Sequence, residues 1–183
     1  MCDFHSCVVY RDGTLYHSVK NSHSEAVKES GRKTNTNTVS KAAYVELEWD
    51  GRGMFPKWET LARLNGSDYT KAQQDSGEAH YRKLAAFLAG DDSHATYFDR
   101  PEYFDVIIAR LGGSVSFDGD KMNIDLDGLT SAEGLTLPTT VGGWLSLDGL
   151  TSAEGLTLPT TVGGWLYLDG LTSAEGLTLP TTV

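Results

Sequence analysis

The sequence predicts an α+β head domain over residues 1–111 followed by a short β-rich solenoid of 21-residue repeats over residues 112–183. Three observations predict it. The segment DGLTSAEGLTLPTTVGGWLSL, beginning at Asp127, recurs at Asp148 with one change, Ser146 to Tyr167, and begins a third time at Asp169. Composition shifts at Gly112-Gly113: residues 1–111 hold 16 acids and 14 bases, whereas residues 112–183 hold nine acids, one base (Lys121) and 13 of the 20 glycines. Before that boundary, segments of apolar period two alternate with segments of helical spacing, the pattern of a mixed α and β domain.

The head reads element by element. Cys7-Val-Val-Tyr and Thr14-Leu-Tyr-His flank Asp12-Gly13, the signature of a β-hairpin. Ser22-x-x-Glu25 is a capping box that opens a short helix through Ala26 and Val27, stopped at Gly31. Tyr44–Trp49 alternates, with Val45, Leu47 and Trp49 on the inward face. Ser76 caps a helix whose stripe is Tyr81, Leu84, Ala85 and Leu88, ended by Gly90. Pro101 and Gly112 bracket a last helix that buries Tyr103 or Phe104 with Ile107, Ile108 and Leu111, and that runs into the first coil of the tail.

In the tail, a period of 21 equals three heptads, yet each full repeat carries four glycines and one proline, which no coiled coil tolerates. A strand at residues 144–147 puts Leu145 and Leu147 inside, with Leu150, Leu156, Leu158 and Val162 completing the interior of each coil. Asp148-Gly149 and Gly163-Gly164 mark the corners. Residues 123–126 form a diverged first strand. Trp144, Ser146, Trp165 and Tyr167 then face outward, where exposed aromatics beside carboxylates resemble a protein-binding surface.

Stacking identical coils aligns identical side chains. Asp127, Asp148 and Asp169 form one expected column, and Glu133, Glu154 and Glu175 a second. Carboxylates about 5 Å apart repel by roughly 0.8 kcal/mol in water, a cost with no evident packing return. At about 4.8 Å per coil, two acids per coil approach the linear charge density of duplex DNA, although three coils span only about 14 Å. The acids either keep a sticky repeat soluble or face a basic partner.

Chemistry is sparse. Cys2, exposed as an N-terminal nucleophile if Met1 is removed, resembles the start of class II glutamine amidotransferases, but Asp3 replaces the glycine that follows their cysteine. Cys2, His5, Cys7, His17 and His23 make a poor zinc pattern, and Cys7 and His17 read as a core residue and a partly exposed strand residue. GGWLSLDGL departs from calcium-binding nonapeptides in its glycine and Asp spacing. No metal and no cofactor are therefore expected. Strong acidity argues against direct binding to nucleic acid or an anionic membrane. Two cysteines and no basic, apolar leader predict a reducing cytoplasm.

Two resemblances follow from these residues. The LxLxxL…GLTLP pattern resembles short-period bacterial leucine-rich repeats, with Asp-Gly where their asparagine stands, so a leucine-rich stack and a plain β-helix both stay open. The Met-Cys-x-Phe start, the Asn-Ser-His-Ser-Glu segment, the strand YVELEW and the repetitive tail together resemble small proteins of phages and prophages. That resemblance implies a non-enzymatic inhibitor in the host bacterial cytoplasm. Its partner would be a defence complex, for example of the CRISPR type, whose basic nucleic-acid-binding groove the acidic face occupies as a DNA mimic. The alternatives are a Cys2-dependent hydrolase or transferase and a self-associating module, the latter through a homodimer at the uncapped repeat end.

Overall fold

The structure, a computed structural model, describes residues 4–10, 12–20, 23–29, 42–48, 57–59 and 71–183. They form two compact units, Met1–Val106 and Ile107–Val183; the division falls five residues before the 111/112 boundary read from composition.

The first unit is built on an antiparallel sheet of order β2-β1-β3-β4, formed by β1 (Phe4–Tyr10), β2 (Leu15–His17), β3 (Ala42–Glu48) and β4 (Lys57–Glu59). β1 and β2 pair Cys7 with His17 and Val9 with Leu15. The Asp12 carboxylate accepts from the Thr14 amide at 2.9 Å and fixes the turn between them. The two faces of β1 enter two cores. Cys7 and Val9 pack with Leu84, Phe87, Phe98, Tyr103 and Val106, while Val8 and Tyr10 pack with Ala26 of α1 (His23–Glu29). Period-two alternation thus places helices on both sides of the sheet. The expected cap Ser22, the stop Gly31 and the inward Trp49 lie outside the described residues.

The long helix α2 spans Lys71–Leu88, so it starts five residues before the expected cap Ser76. An i,i+4 ion pair, Lys71 Nζ to Asp75 at 2.8 Å, supports the added turn. Its buried stripe is His80, Leu84 and Phe87, with Leu88 half-buried. Gly90, at φ 99°, ends it as the sequence predicts. Next comes α3 (Ala95–Phe98), a short helix that burial of Phe98 holds in place. A 3-10 turn at Pro101–Tyr103 leads into α4 (Phe104–Arg110), which buries Tyr103, Val106 and Ile108 and leaves Ile107 and Leu111 half-buried.

The second unit begins with a hairpin, β5 (Ser114–Asp118) and β6 (Lys121–Asp125). β6 continues into a parallel row with β8 (Leu145–Ser146) and β10 (Leu166–Tyr167), giving the order β10-β8-β6-β5. Ile124, Leu145 and Leu166 share one register position. A second parallel pair joins β7 (Thr140–Val141) to β9 (Thr161–Val162), and bridges link Ser152 to Ser173 and Thr161 to Thr182. The links between successive repeats are therefore offset by the sequence period, and residues 112–183 contain no helix.

Ile124, Leu126, Val141, Leu145, Leu147, Leu150 and Val162 are fully buried. Leu158, expected inside, is only half-buried. The interior position goes to Ala153 instead, because the chain turns at Ala153-Glu154-Gly155-Leu156, closed by the Leu156 amide on the Ala153 carbonyl at 3.0 Å. That corner is additional to the two read from sequence. Gly155 sits at φ 75° with open space where a Cβ would project. Gly155→Ala is expected to cost about 1–2 kcal/mol, through left-handed backbone strain alone, in urea denaturation of the full chain.

Candidate interaction surface

The outward face of the β10-β8-β6-β5 sheet carries the sequence-nominated residues. Register places Asn123, Trp144 and Trp165 in one column and Asp125, Ser146 and Tyr167 in the next. Asp127, Asp148 and Asp169 stand two residues further along, at the turns. Trp165 is 71% exposed and Tyr167 39%, whereas Trp144 is half-buried. Ser146, expected outward, is on this face but only 6% exposed. It lies between the Asp125 and Tyr167 strands and donates its hydroxyl to the Asp127 carboxylate in a short hydrogen bond.

The Asp column corrects the expectation of repulsion without return. Asp127 Oδ1 also accepts from the Asp148 amide at 3.4 Å, and Asp148 Oδ1 accepts from the Asp169 amide at 2.8 Å. Asp127 and Asp148 thereby each satisfy a main-chain donor of the next repeat, a charge-assisted link that offsets the roughly 0.8 kcal/mol of like-charge repulsion. The following glycine is required by the same approach. A Cβ on Gly149 would overlap the Asp127 carbonyl oxygen and lie 2.8 Å from that of Leu129.

The Glu column differs. Glu133, Glu154 and Glu175 are exposed, and their amides are held by Ser131, Ser152 and Ser173 Oγ at 3.2, 3.1 and 3.4 Å. Their carboxylates make no ion pair among the described residues, so their full charge faces water. Among the described residues, Asp127 and Asp148 are thus engaged in the fold while the Glu column is not, and the two columns stand at corners six residues apart.

The head holds a second polar cluster, which sequence reading missed. His17, expected to be partly exposed, is 1% exposed; its Nε2 lies 2.9 and 3.1 Å from the two Asp105 oxygens, and its ring stacks on Tyr103 at 5.2 Å. The cause is tertiary: α4 brings Asp105 to β2 across 88 residues of sequence. His80 Nδ1 and the Tyr97 hydroxyl are 3.0 Å apart, and Arg100 lies over both Tyr97 and Tyr103. Burial, then the neighbouring His17, Lys83 and Arg100, lowers the His80 pKa to about 3. Burial also raises the Tyr103 hydroxyl, and pushes the Cys7 thiol up to about 12. Cys7 is therefore a neutral core thiol at neutral pH and no nucleophile. Cys2 lies outside the described residues. No group of three His, Cys, Asp or Glu side chains among those described is arranged to hold a metal ion, and no described helix is long and apolar enough to cross a membrane.

The chain matches no protein-family model, and no curated protein or solved structure matches it at a significant level.

Proposed function

We propose that this chain is a non-enzymatic interaction protein whose tail is a short β-solenoid presenting an acidic, aromatic face to a basic protein surface. The observation that carries the reading is the 21-residue register, which aligns Trp144, Trp165 and Tyr167 with the adjoining column Asp127, Asp148, Asp169, while Glu133, Glu154 and Glu175 add charge at a separate corner. With nine acids to one base, residues 112–183 suit a cationic partner and reject an anionic one. The proposed target class is a groove that otherwise holds nucleic acid, and its concrete form is an inhibitor of a bacterial defence complex. The aromatic residues supply the desolvated anchors that carboxylates alone lack.

Charge neutralisation without loss of the fold tests this. Asp127→Asn, Asp148→Asn and Asp169→Asn keep an oxygen for each main-chain amide, and Glu133→Gln, Glu154→Gln and Glu175→Gln disturb no hydrogen bond of the fold. Binding of a synthetic peptide of alternating lysine and arginine is expected to weaken about tenfold in the Glu triple variant at low salt, from three exposed charges at about 0.5 kcal/mol each, and to weaken in the Asp triple variant as well. Equal affinity across wild type, both triples and a salt titration would refute the proposal.

A further inference from the structure

The two full repeats differ at one position, Ser146 against Tyr167; Ser146 stands on the interior strand β8 and Tyr167 on β10, the edge strand of the same sheet. Trp165 precedes Tyr167 by two residues, and Asp169, at the turn that follows β10, comes two residues after it. The substitution changes what the preceding carboxylate does. Ser146 donates its hydroxyl to Asp127, so that carboxylate is held by the tail itself. Among the described residues Tyr167 makes no such bond to Asp148, whose carboxylate takes the Asp169 amide on Oδ1 and no other hydrogen bond. Around residue 167 the face therefore offers two partly exposed rings next to carboxylates, in a tail with a single base.

We infer that residue 167 is the specificity-determining position of this face, and that tyrosine there selects an arginine side chain of the protein partner. The inference rests on the reading of the face as a binding surface and deepens it. A guanidinium is planar: it stacks on the Tyr167 or Trp165 ring while its in-plane N–H groups reach Asp148 or Asp169. An ammonium is a compact, strongly hydrated charge that satisfies the carboxylate or the ring but gains less from both together. Serine at the same position, as in the preceding coil, internalises the carboxylate and removes the ring.

Tyr167→Ser is the decisive variant, because its product repeats the unit that the tail already accommodates at 146. Titrations of the full chain with arginine-rich and lysine-rich peptides of equal length are expected to show an arginine preference in wild type. Tyr167→Ser should weaken arginine-peptide binding about fivefold and erase the preference, and Tyr167→Phe should keep it. Unchanged arginine affinity in Tyr167→Ser, or no preference in wild type, would overturn the inference. If the Asp-to-Asn triple still weakens binding in that case, the acidic face survives as the binding surface; if it too has no effect, both fall.

Discussion

Gly149→Ala should destabilise the repeat tail by about 3 kcal/mol, the upper end of the cost of overpacking. The added methyl would overlap the Asp127 carbonyl oxygen and approach that of Leu129, and both obstacles are backbone. Backbone cannot rotate aside as a side chain does. Relief requires the two successive repeats to separate, which breaks the Asp148 amide bond to Asp127 and the Leu126 amide bond to the Ser146 carbonyl. Gly170 meets Asp148 and Leu150 in the same way, so Gly170→Ala should reproduce the effect one coil later. Urea denaturation followed by circular dichroism measures both. A cost for Gly149→Ala no larger than that of Gly155→Ala, where a Cβ meets open space, would show that Gly149 does not approach the Asp127 and Leu129 carbonyls this closely.

The head should lose stability as pH falls from about 6.5 towards 3, by up to about 1.4 kcal/mol per pH unit from His80 alone. His80 is 2% exposed on α2, against the Tyr97, Phe98 and Tyr103 rings, with His17, Lys83 and Arg100 as the charged or ionisable groups that disfavour its protonation. Its folded pKa is depressed, so between the two values the unfolded chain binds a proton that the folded chain refuses. The stabilisation is complete above about 6.5 and disappears as pH descends through the folded value. His80→Gln, which keeps a group able to bond the Tyr97 hydroxyl but cannot titrate, should flatten this slope. Near-ultraviolet circular dichroism reports the aromatic cluster directly. An identical slope in the variant would mean that His80 is not the group responsible.

The two units differ in how much their sequences reveal. In the tail, inward leucines at 145, 147 and 150 and the exposed Trp165 and Tyr167 follow from a period of two set within a period of 21, because each repeat constrains the next. Sequence does not reveal that Asp127 and Asp148 bond the next repeat's amides, since hydrogen-bond geometry depends on the spacing between repeats. The burial of Ser146 by its Asp125 and Tyr167 neighbours was hidden for the same reason. In the head, the hairpin at Asp12-Gly13 and the stop at Gly90 were legible from turn chemistry. The His17–Asp105 pair and the His80 cluster were not, because they join β2, α2, α3 and α4, and no local pattern encodes that meeting. On α2 the expected stripe of Tyr81, Leu84, Ala85 and Leu88 omits His80 and Phe87, which are buried with Leu84 because the aromatic cluster of Phe98 and Tyr103 lies against them.

The outward face of the repeats is proposed as the surface that binds a basic partner. The four tryptophans divide evenly between the two parts of the chain, Trp49 and Trp58 before the repeats and Trp144 and Trp165 within them. Nuclear magnetic resonance of the full chain labelled at the indole nitrogens, titrated with an arginine-rich peptide at low salt, tests the claim most directly. The account predicts that the Trp144 and Trp165 signals shift together and return when salt is raised, while Trp49 and Trp58 stay in place. Shifts confined to Trp49 and Trp58, or none at saturating peptide, would contradict it.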